Sequence, residues 1–308
     1  MKAPAWANYS TNNLPTSVLE LSLPVPELPE VQSIINRLSR VEGEFPFLFG
    51  QTISGFTLFW PKTLAIPTVE ELEAALPGRT IRDLTRRGKF LILVLDQGNL
   101  VFHLRMSGDL YLQPGLAASR TSDPIQPHDR FYLHLRSGYT LVFNDARKFG
   151  RVWYTGDLSL LFDKLGPEPL GTELNAEKFY AMLHQRNRQL KPLLMDQSFL
   201  AGLGNIYTDE ALFEAGLNPR RRSGSLTHQQ AGLLLDSIRK VLRRGIEHNG
   251  ASIDWVYRGG KFQNFFNVYQ QTGNPCPRCG TPIIRTTVGQ RGTHYCPSCQ
   301  PDPEVDDV

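Results

Sequence analysis

All four cysteines of this 308-residue chain lie within its last 35 residues, as Cys276-Pro-Arg-Cys279 and Cys296-Pro-Ser-Cys299, with sixteen residues between the pairs. Two C-x-x-C knuckles on facing hairpins bring four thiolates into a tetrahedron around Zn²⁺, and this separation fits a zinc ribbon. Pairing as two disulfides is the alternative. A chain otherwise free of cysteine and lacking a secretory signal reads as belonging to a reducing compartment, which favours the metal. Between the knuckles, TTVGQRGTHY reads as a hairpin whose turn carries Gln290, Arg291 and Gly292. An arginine at the tip of a stapled hairpin suits a phosphate or groove contact, with a solvated charge as the plain alternative.

A second anion site is written into Ala201-Gly-Leu-Gly204-Asn205-Ile-Tyr207-Thr-Asp-Glu210. Gly202 and Gly204 permit a sharp turn, and Asn205 stands where the next helix begins. Free N–H groups and a side-chain amide at a helix start attract an anion such as DNA phosphate, although most such segments are caps and nothing more. A third stretch, VPELPEV at 25–31, combines a proline with Glu27 and Glu30. Its periodicity describes an amphipathic helix with Pro29 in the first turn and Val31, Ile34, Ile35 and Leu38 on one face.

The elements that must position these groups fall into two kinds. Segments 51–60, 89–95, 100–105, 130–136, 139–144 and 151–154 alternate or run apolar between turn signals and predict a mostly antiparallel β-sandwich after a helix over 27–40. Beyond Leu165-Gly-Pro-Glu-Pro169 the pattern turns helical, with helices over 175–184, 206–216 and 227–246. The last opens with Thr227 and Gln230 as a capping box and buries Leu234, Ile238, Val241 and Leu242. Its other face carries Arg239, Lys240, Arg243 and Arg244, a phosphate stripe or a solvated face. The expected fold class is α+β multidomain. Its parts are a leader over 1–24, a β-sandwich domain over 25–155, a helical domain over 156–270, a zinc ribbon over 271–300 and an acidic tail over 301–308. A cleft between the two halves is the natural place for an extended ligand.

The chain is long enough for two ordinary domains, and 41% hydrophobic with 20% charged residues describes a globular protein. No run approaches the ~18 apolar residues of a membrane helix. Net charge is +3. The ends hold Lys2 and five acids (Glu20, Asp302, Glu304, Asp306, Asp307), so residues 25–299 keep 32 basic against 25 acidic residues, a net +7 compatible with a polyanionic partner. Residues 1–24 are polar and proline-punctuated, without the apolar core of a secretory signal; they read as a disordered or non-native leader, with an organelle transit peptide the weaker reading.

Taken in order, PELPEV, RRGKF (86–90), HLRMSG (103–108), NDARKFG (144–150), GPEPL (166–170), GLGNIY and the ribbon resemble the formamidopyrimidine-DNA glycosylase family, bacterial repair enzymes for oxidised purines. The resemblance runs from about residue 26 to 300. It implies a helix–two-turn–helix domain and a zinc ribbon that grip damaged double-stranded DNA, one structural Zn²⁺, and an amino-terminal proline that attacks the sugar. Base removal and β,δ-elimination of the abasic strand then pass through a Schiff base. Roles carry over as follows: Pro26 is the nucleophile, Glu27 the acid/base, and Lys89 a catalytic lysine near the lesion phosphate. Glu30 and Glu210 are supporting carboxylates; Met106, Arg147 and Phe149 intercalate where the base is flipped out; Asn205, Arg291 and Lys191 bind phosphate; Cys276, Cys279, Cys296 and Cys299 hold the metal. Residues 256–266 correspond to the lesion-recognition loop. The family also implies a monomer without nucleotide cofactor or membrane, cytoplasmic at the bacterial nucleoid.

Numbered as here, Pro26 is internal, and its amide nitrogen has no nucleophilic lone pair. Translation starting at a GTG codon read as Val25, followed by removal of the initiator, would free the amine. Cleavage of a real leader after Val25 would do the same. Two competing functions remain: an endonuclease VIII-like enzyme for oxidised pyrimidines, against which Leu28 stands because that branch typically carries glycine there, and a damage-binding protein without lyase activity if the leader persists. A generic zinc-ribbon transcription factor leaves Lys89 and the wedge segments unexplained.

Overall fold

The computed structural model describes residues 25–39, 48–115, 125–252 and 259–302. The leader, residues 256–258 of the expected lesion loop and most of the acidic tail lie outside the described residues.

Helix α1 (Leu28–Leu38) opens the described chain. Strands β1 (Ile53–Leu58) and β2 (Leu64–Ile66), helix α2 (Val69–Ala75) and strands β3 (Ile81–Arg87), β4 (Phe90–Leu95), β5 (Asn99–His103), β6 (Gly108–Pro114), β7 (Asp129–Leu135), β8 (Tyr139–Asp145) and β9 (Arg151–Thr155) follow. They form a four-stranded sheet ordered β1-β7-β8-β6 and a five-stranded sheet ordered β2-β9-β5-β4-β3. Every pairing is antiparallel except β2 with β9. Phe102 of one sheet meets Phe131 and Phe143 of the other edge-on, with centroids 6.1 and 5.7 Å away, in the core between them. β3 escapes the alternation signal because both of its faces mix charged and apolar positions, whereas β6, also unanticipated, does place its leucines on one face.

The second half is helical: α3 (Ser159–Phe162), α4 (Ala176–Arg186), α5 (Leu190–Leu194), α6 (Asn205–Ala215) and α7 (His228–Glu247). α7 begins at the expected box, with Thr227 Oγ1 accepting from the Gln230 N–H and the Gln230 side chain accepting from the Thr227 N–H. Two of the four cations on its basic face are engaged within the protein. Arg239 donates to the carbonyls of Pro169, Gly171 and Leu174, and Lys240 pairs with Glu214 at 2.6 Å. A hairpin of β10 (Ile284–Val288) and β11 (Arg291–Tyr295) completes the ribbon.

α1 joins the halves. Its first residue, Leu28, is packed in the helical core, whereas Val31, Ile34, Ile35 and Leu38 are buried in the sandwich core. The helix start is therefore pinned at the seam, where a cleft of about 1120 Å³ opens.

Candidate active site

Pro26 is buried between Val25 and Glu27, both of which line this cleft. Glu27 caps α1 through its backbone, whose N–H donates to Glu30 Oε2 at 2.9 Å. Its carboxylate caps a different helix, α6, accepting from the N–H groups of Gly204 (2.5 Å), Ile206 (2.9 Å) and Tyr207 (3.4 Å). The Gly202-Leu-Gly204 turn makes this possible. Gly202 takes φ +106 against Leu28, and a Cβ at Gly204 would lie 2.6 Å from Glu27 Oε1. Burial pushes the Glu27 carboxyl up to about 7, while Lys89 opposes the shift, Glu30 adds to it, and the Ile206 and Gly204 N–H groups oppose it. A carboxyl poised near neutrality beside a buried nitrogen can give or take a proton at physiological pH.

Glu30 is fully enclosed. Its Oε1 accepts from the Tyr207 hydroxyl and the Ala251 N–H, both at 2.7 Å, so it ties α1 to α6 and to the segment after α7. It does not line the cleft and serves as a positioning carboxylate.

Lys89 follows Gly88 (φ +57) in the β3–β4 turn and lines the cleft. Glu168 holds that turn, accepting the Gly88 N–H at 2.5 Å and pairing with Arg86 (2.9 Å) and Arg87 (3.1 Å). Burial lowers the Lys89 pKa against the pull of Glu27 and Glu30, and Arg291 lowers it further, so the hairpin arginine reaches the same space.

Met106, Arg147 and Phe149 also line the cleft. Phe149 is 49% exposed, and the Arg147 guanidinium lies 5.8 Å from its ring centre. Asp145 organises their loop: it accepts from Ser107 Oγ, from the Arg147 N–H at 3.1 Å and from the Gly150 N–H at 2.7 Å.

Asn205 and Arg291 face this space from the opposite side. Both polar side-chain atoms of Asn205 are shielded from solvent and have no partner among the described residues, an arrangement that an incoming acceptor or donor would satisfy. The hairpin turn itself is Gly289-Gln290, both at positive φ, and Arg291 begins β11 rather than sitting within the turn.

Lys191 departs from expectation. Its side chain is 0% exposed, with Nζ donating to Asp209 Oδ1 at 2.6 Å and to the Gly292 carbonyl at 2.8 Å. An ammonium so enclosed cannot reach a phosphate. Asp209 also accepts the His294 N–H at 2.9 Å, so the buried pair docks the ribbon hairpin on α6 and places Arg291. Glu210 likewise lies away from the cleft, accepting the N–H groups of Asn267, Val268 and Tyr269 and anchoring the chain that enters the ribbon.

Several cleft residues were not anticipated: His103, Arg105, Arg151, Gln197 and Arg285. His103 Nδ1 accepts the Arg105 N–H at 3.0 Å, and its pKa is lowered to about 3 by burial, then by Arg105 and Lys89, so the ring is neutral with its proton on Nε2. His103 and Arg105 stand inside the HLRMSG stretch, and proximity to Met106 was the available signal. Six cationic side chains line the cleft against one carboxylate, Glu27, a balance suited to a polyanion.

In the ribbon, the four cysteine sulfurs lie within 4.8 Å of one another. Cys276 and Cys299 are 3.8 Å apart and Cys279 and Cys296 3.5 Å, close to the about 3.8 Å edge of a tetrahedron with zinc–sulfur bonds of about 2.3 Å. The donor set fits one Zn²⁺, and the four cysteines are free thiols rather than two disulfides.

Comparison with known proteins adds three family matches. They are the formamidopyrimidine-DNA glycosylase N-terminal domain over residues 25–152, the H2TH domain of the same enzymes over 165–256, and the zinc finger found in FPG and IleRS over 273–301. Formamidopyrimidine-DNA glycosylase of Protochlamydia amoebophila is 40% identical over 285 residues, covering 90% of this chain and 99% of that protein. The Chloroflexus aggregans enzyme is 42% identical over 284 residues, covering 90% and 98%. Among solved structures, a Lactococcus lactis FPG mutant bound to Fapy-dG-containing DNA superposes with a TM-score of 0.79 at 35% identity, covering 90% of this chain and all of that one. MutM with DNA containing carbocyclic 8-oxo-G gives 0.78 at 36% identity, with 90% and 100% coverage.

Proposed function

The chain belongs to the formamidopyrimidine-DNA glycosylase family, a base-excision-repair DNA glycosylase for oxidised purines with the family's abasic-site lyase activity, and from that premise we propose how its own residues divide the work. Pro26 is the nucleophile. Its secondary amine attacks C1′ of the extruded nucleotide, the glycosidic bond breaks, and the electron pair leaves with the base. Loss of the remaining amine proton and opening of the sugar give an iminium ion. That iminium acidifies the C2′ hydrogen; its removal expels the 3′ phosphate, and a second elimination expels the 5′ phosphate.

Glu27 supports each proton transfer. With a pKa near 7 it is present in both forms at neutral pH, so one group delivers a proton to the opening sugar and later recovers one. Lys89 neutralises phosphate next to the lesion and assists departure of the base. Met106, Arg147 and Phe149 fill the stack once the base leaves it. Asn205 and Arg291 hold backbone phosphates. Zinc, held by the four cysteines, supplies structural rigidity to the hairpin that carries Arg291.

The observation that carries this reading is the Glu27 carboxylate, which lines a cationic cleft and is seated on the α6 N-terminus, with Pro26 directly before it in the chain. The chemistry needs Pro26 as an amine, so the Val25–Pro26 bond must be absent in the active protein. We further read the protein as a cytoplasmic monomer, associated with the bacterial nucleoid and needing no nucleotide cofactor. Among the described residues no helix is long and apolar enough to cross a membrane.

Borohydride trapping on duplex DNA containing 8-oxoguanine, with intact mass and amino-terminal sequencing, tests the assignment. A covalent adduct on a chain starting at Pro26 is the expected result. A chain that keeps residues before Pro26, binds damaged DNA and never traps would replace the catalytic reading with a damage-binding one.

A further inference from the structure

The loop carrying the wedge side chains divides its backbone between two flanking residues. Asp145 takes N–H groups from Arg147 and Gly150. On the other side, Arg151 Nη1 donates to three successive carbonyls: Lys148 at 3.3 Å, Phe149 at 3.1 Å and Gly150 at 2.8 Å. Lys148, at φ +61, lays its ammonium 4.2 Å from the centre of the Trp60 ring.

We propose that Arg151 is a positioning residue for base extrusion, holding residues 148–150 in the one conformation that presents Phe149 to the cleft before DNA arrives. The proposal rests on the wedge role given to Phe149 above.

Three observations support it. Phe149 is half exposed, so burial does not fix its direction; the loop backbone must. That backbone passes through a left-handed lysine, a conformation uncommon outside glycine and maintained only where neighbours over-determine it. The neighbour that reaches all three carbonyls is a single guanidinium nitrogen, Nη1, whose two N–H groups are shared among them. Arg151 has no carboxylate partner among the described residues, so its hydrogen-bonding capacity is not drawn elsewhere. It starts β9 directly opposite His103 on β5, which puts the clamp on the cleft floor. Arg105 faces it there, its pKa lowered by burial and by the Arg151 charge.

Single-turnover excision of 8-oxoguanine paired with cytosine tests this, with 2-aminopurine beside the lesion reporting unstacking. Arg151→Ala is expected to slow both signals about tenfold, the scale of a misplaced positioning group. In a Phe149→Ala background the same change should cost less than about twofold, because residues acting through one another are not additive. Arg151→Lys keeps one nitrogen with several N–H donors and should retain a rate between wild type and Arg151→Ala, and it also serves if the alanine variant fails to fold. A full tenfold loss in the Phe149→Ala background would overturn the proposal. So would a salt dependence of binding flattened by about one unit in Arg151→Ala, the mark of a direct phosphate contact. A wild-type chain that unstacks DNA but excises nothing would sink the catalytic assignment instead, and the fluorescence signal would still report on Arg151.

Discussion

The carboxylate of Glu27 and the backbone of Gly204, 177 residues apart, meet at 2.5 Å, so the residue that opens α1 caps α6. One contact thereby fixes the Glu27 carboxylate, the Gly-rich turn and the seam between the β and helical halves. A Cβ at position 204 has no space, since it would overlap the Glu27 carboxyl. Gly204→Ala should therefore lower single-turnover base excision about a hundredfold by displacing Glu27. Zinc content should stay unchanged. Wild-type kinetics in this variant would show that the Glu27 position is not critical.

The raised Glu27 pKa makes stability fall with pH. Between the unfolded value near 4.5 and the folded value near 7, the folded state binds the extra proton, so its stability is highest below this window and decreases as pH rises through it. Glu27→Gln removes that dependence. Its melting temperature relative to wild type should rise from pH 5 to pH 8, with a free-energy change of up to about 3 kcal/mol. A difference that stays flat across the window would refute the assignment.

Lys191→Ala leaves Asp209 buried without its cation, and destabilisation of about 3 kcal/mol or more is expected. DNA affinity should fall because Arg291 loses its docking. The slope of affinity against salt distinguishes this from a lost phosphate contact at Lys191 itself, which would remove about one unit through that residue alone. In an Arg291→Ala background, Lys191→Ala should leave the slope as it is.

Among the described residues the two polar side-chain atoms of Asn205 are buried without a partner, which costs stability. Asn205→Ala should weaken binding to DNA with an abasic-site analogue about tenfold while leaving the melting temperature equal or higher. Reduced stability together with unchanged affinity would mean that the amide has a structural role instead.

Zinc removal should act at a distance from the chemistry. Chelation, or Cys279→Ser, is expected to release the hairpin and lower DNA affinity about tenfold or more by loss of the charged Arg291 contact. The sandwich and the helical core have their own buried clusters, so far-ultraviolet circular dichroism should change little. Unfolding of the whole chain on chelation would contradict this division.

The cysteine spacing, the 3.6-residue period of α1 and α7 and the Thr227/Gln230 box were legible in the sequence, because thiolate ligation, amphipathicity and capping depend on residues a few positions apart. Family motifs then located Pro26, Glu27, Lys89 and the wedge. Tertiary structure decided what each polar group meets. Lys191 and Arg239 look in sequence like cations available to DNA, yet one is sealed against Asp209 and the other spans the carbonyls of residues 169–174. Arg151 carries no signal of its own in the sequence; only the fold brings three carbonyls onto it. Residue type states which partners a charge can take; the packing of segments up to 221 residues apart decides which one arrives, because desolvation leaves each buried charge with only the neighbours the fold supplies.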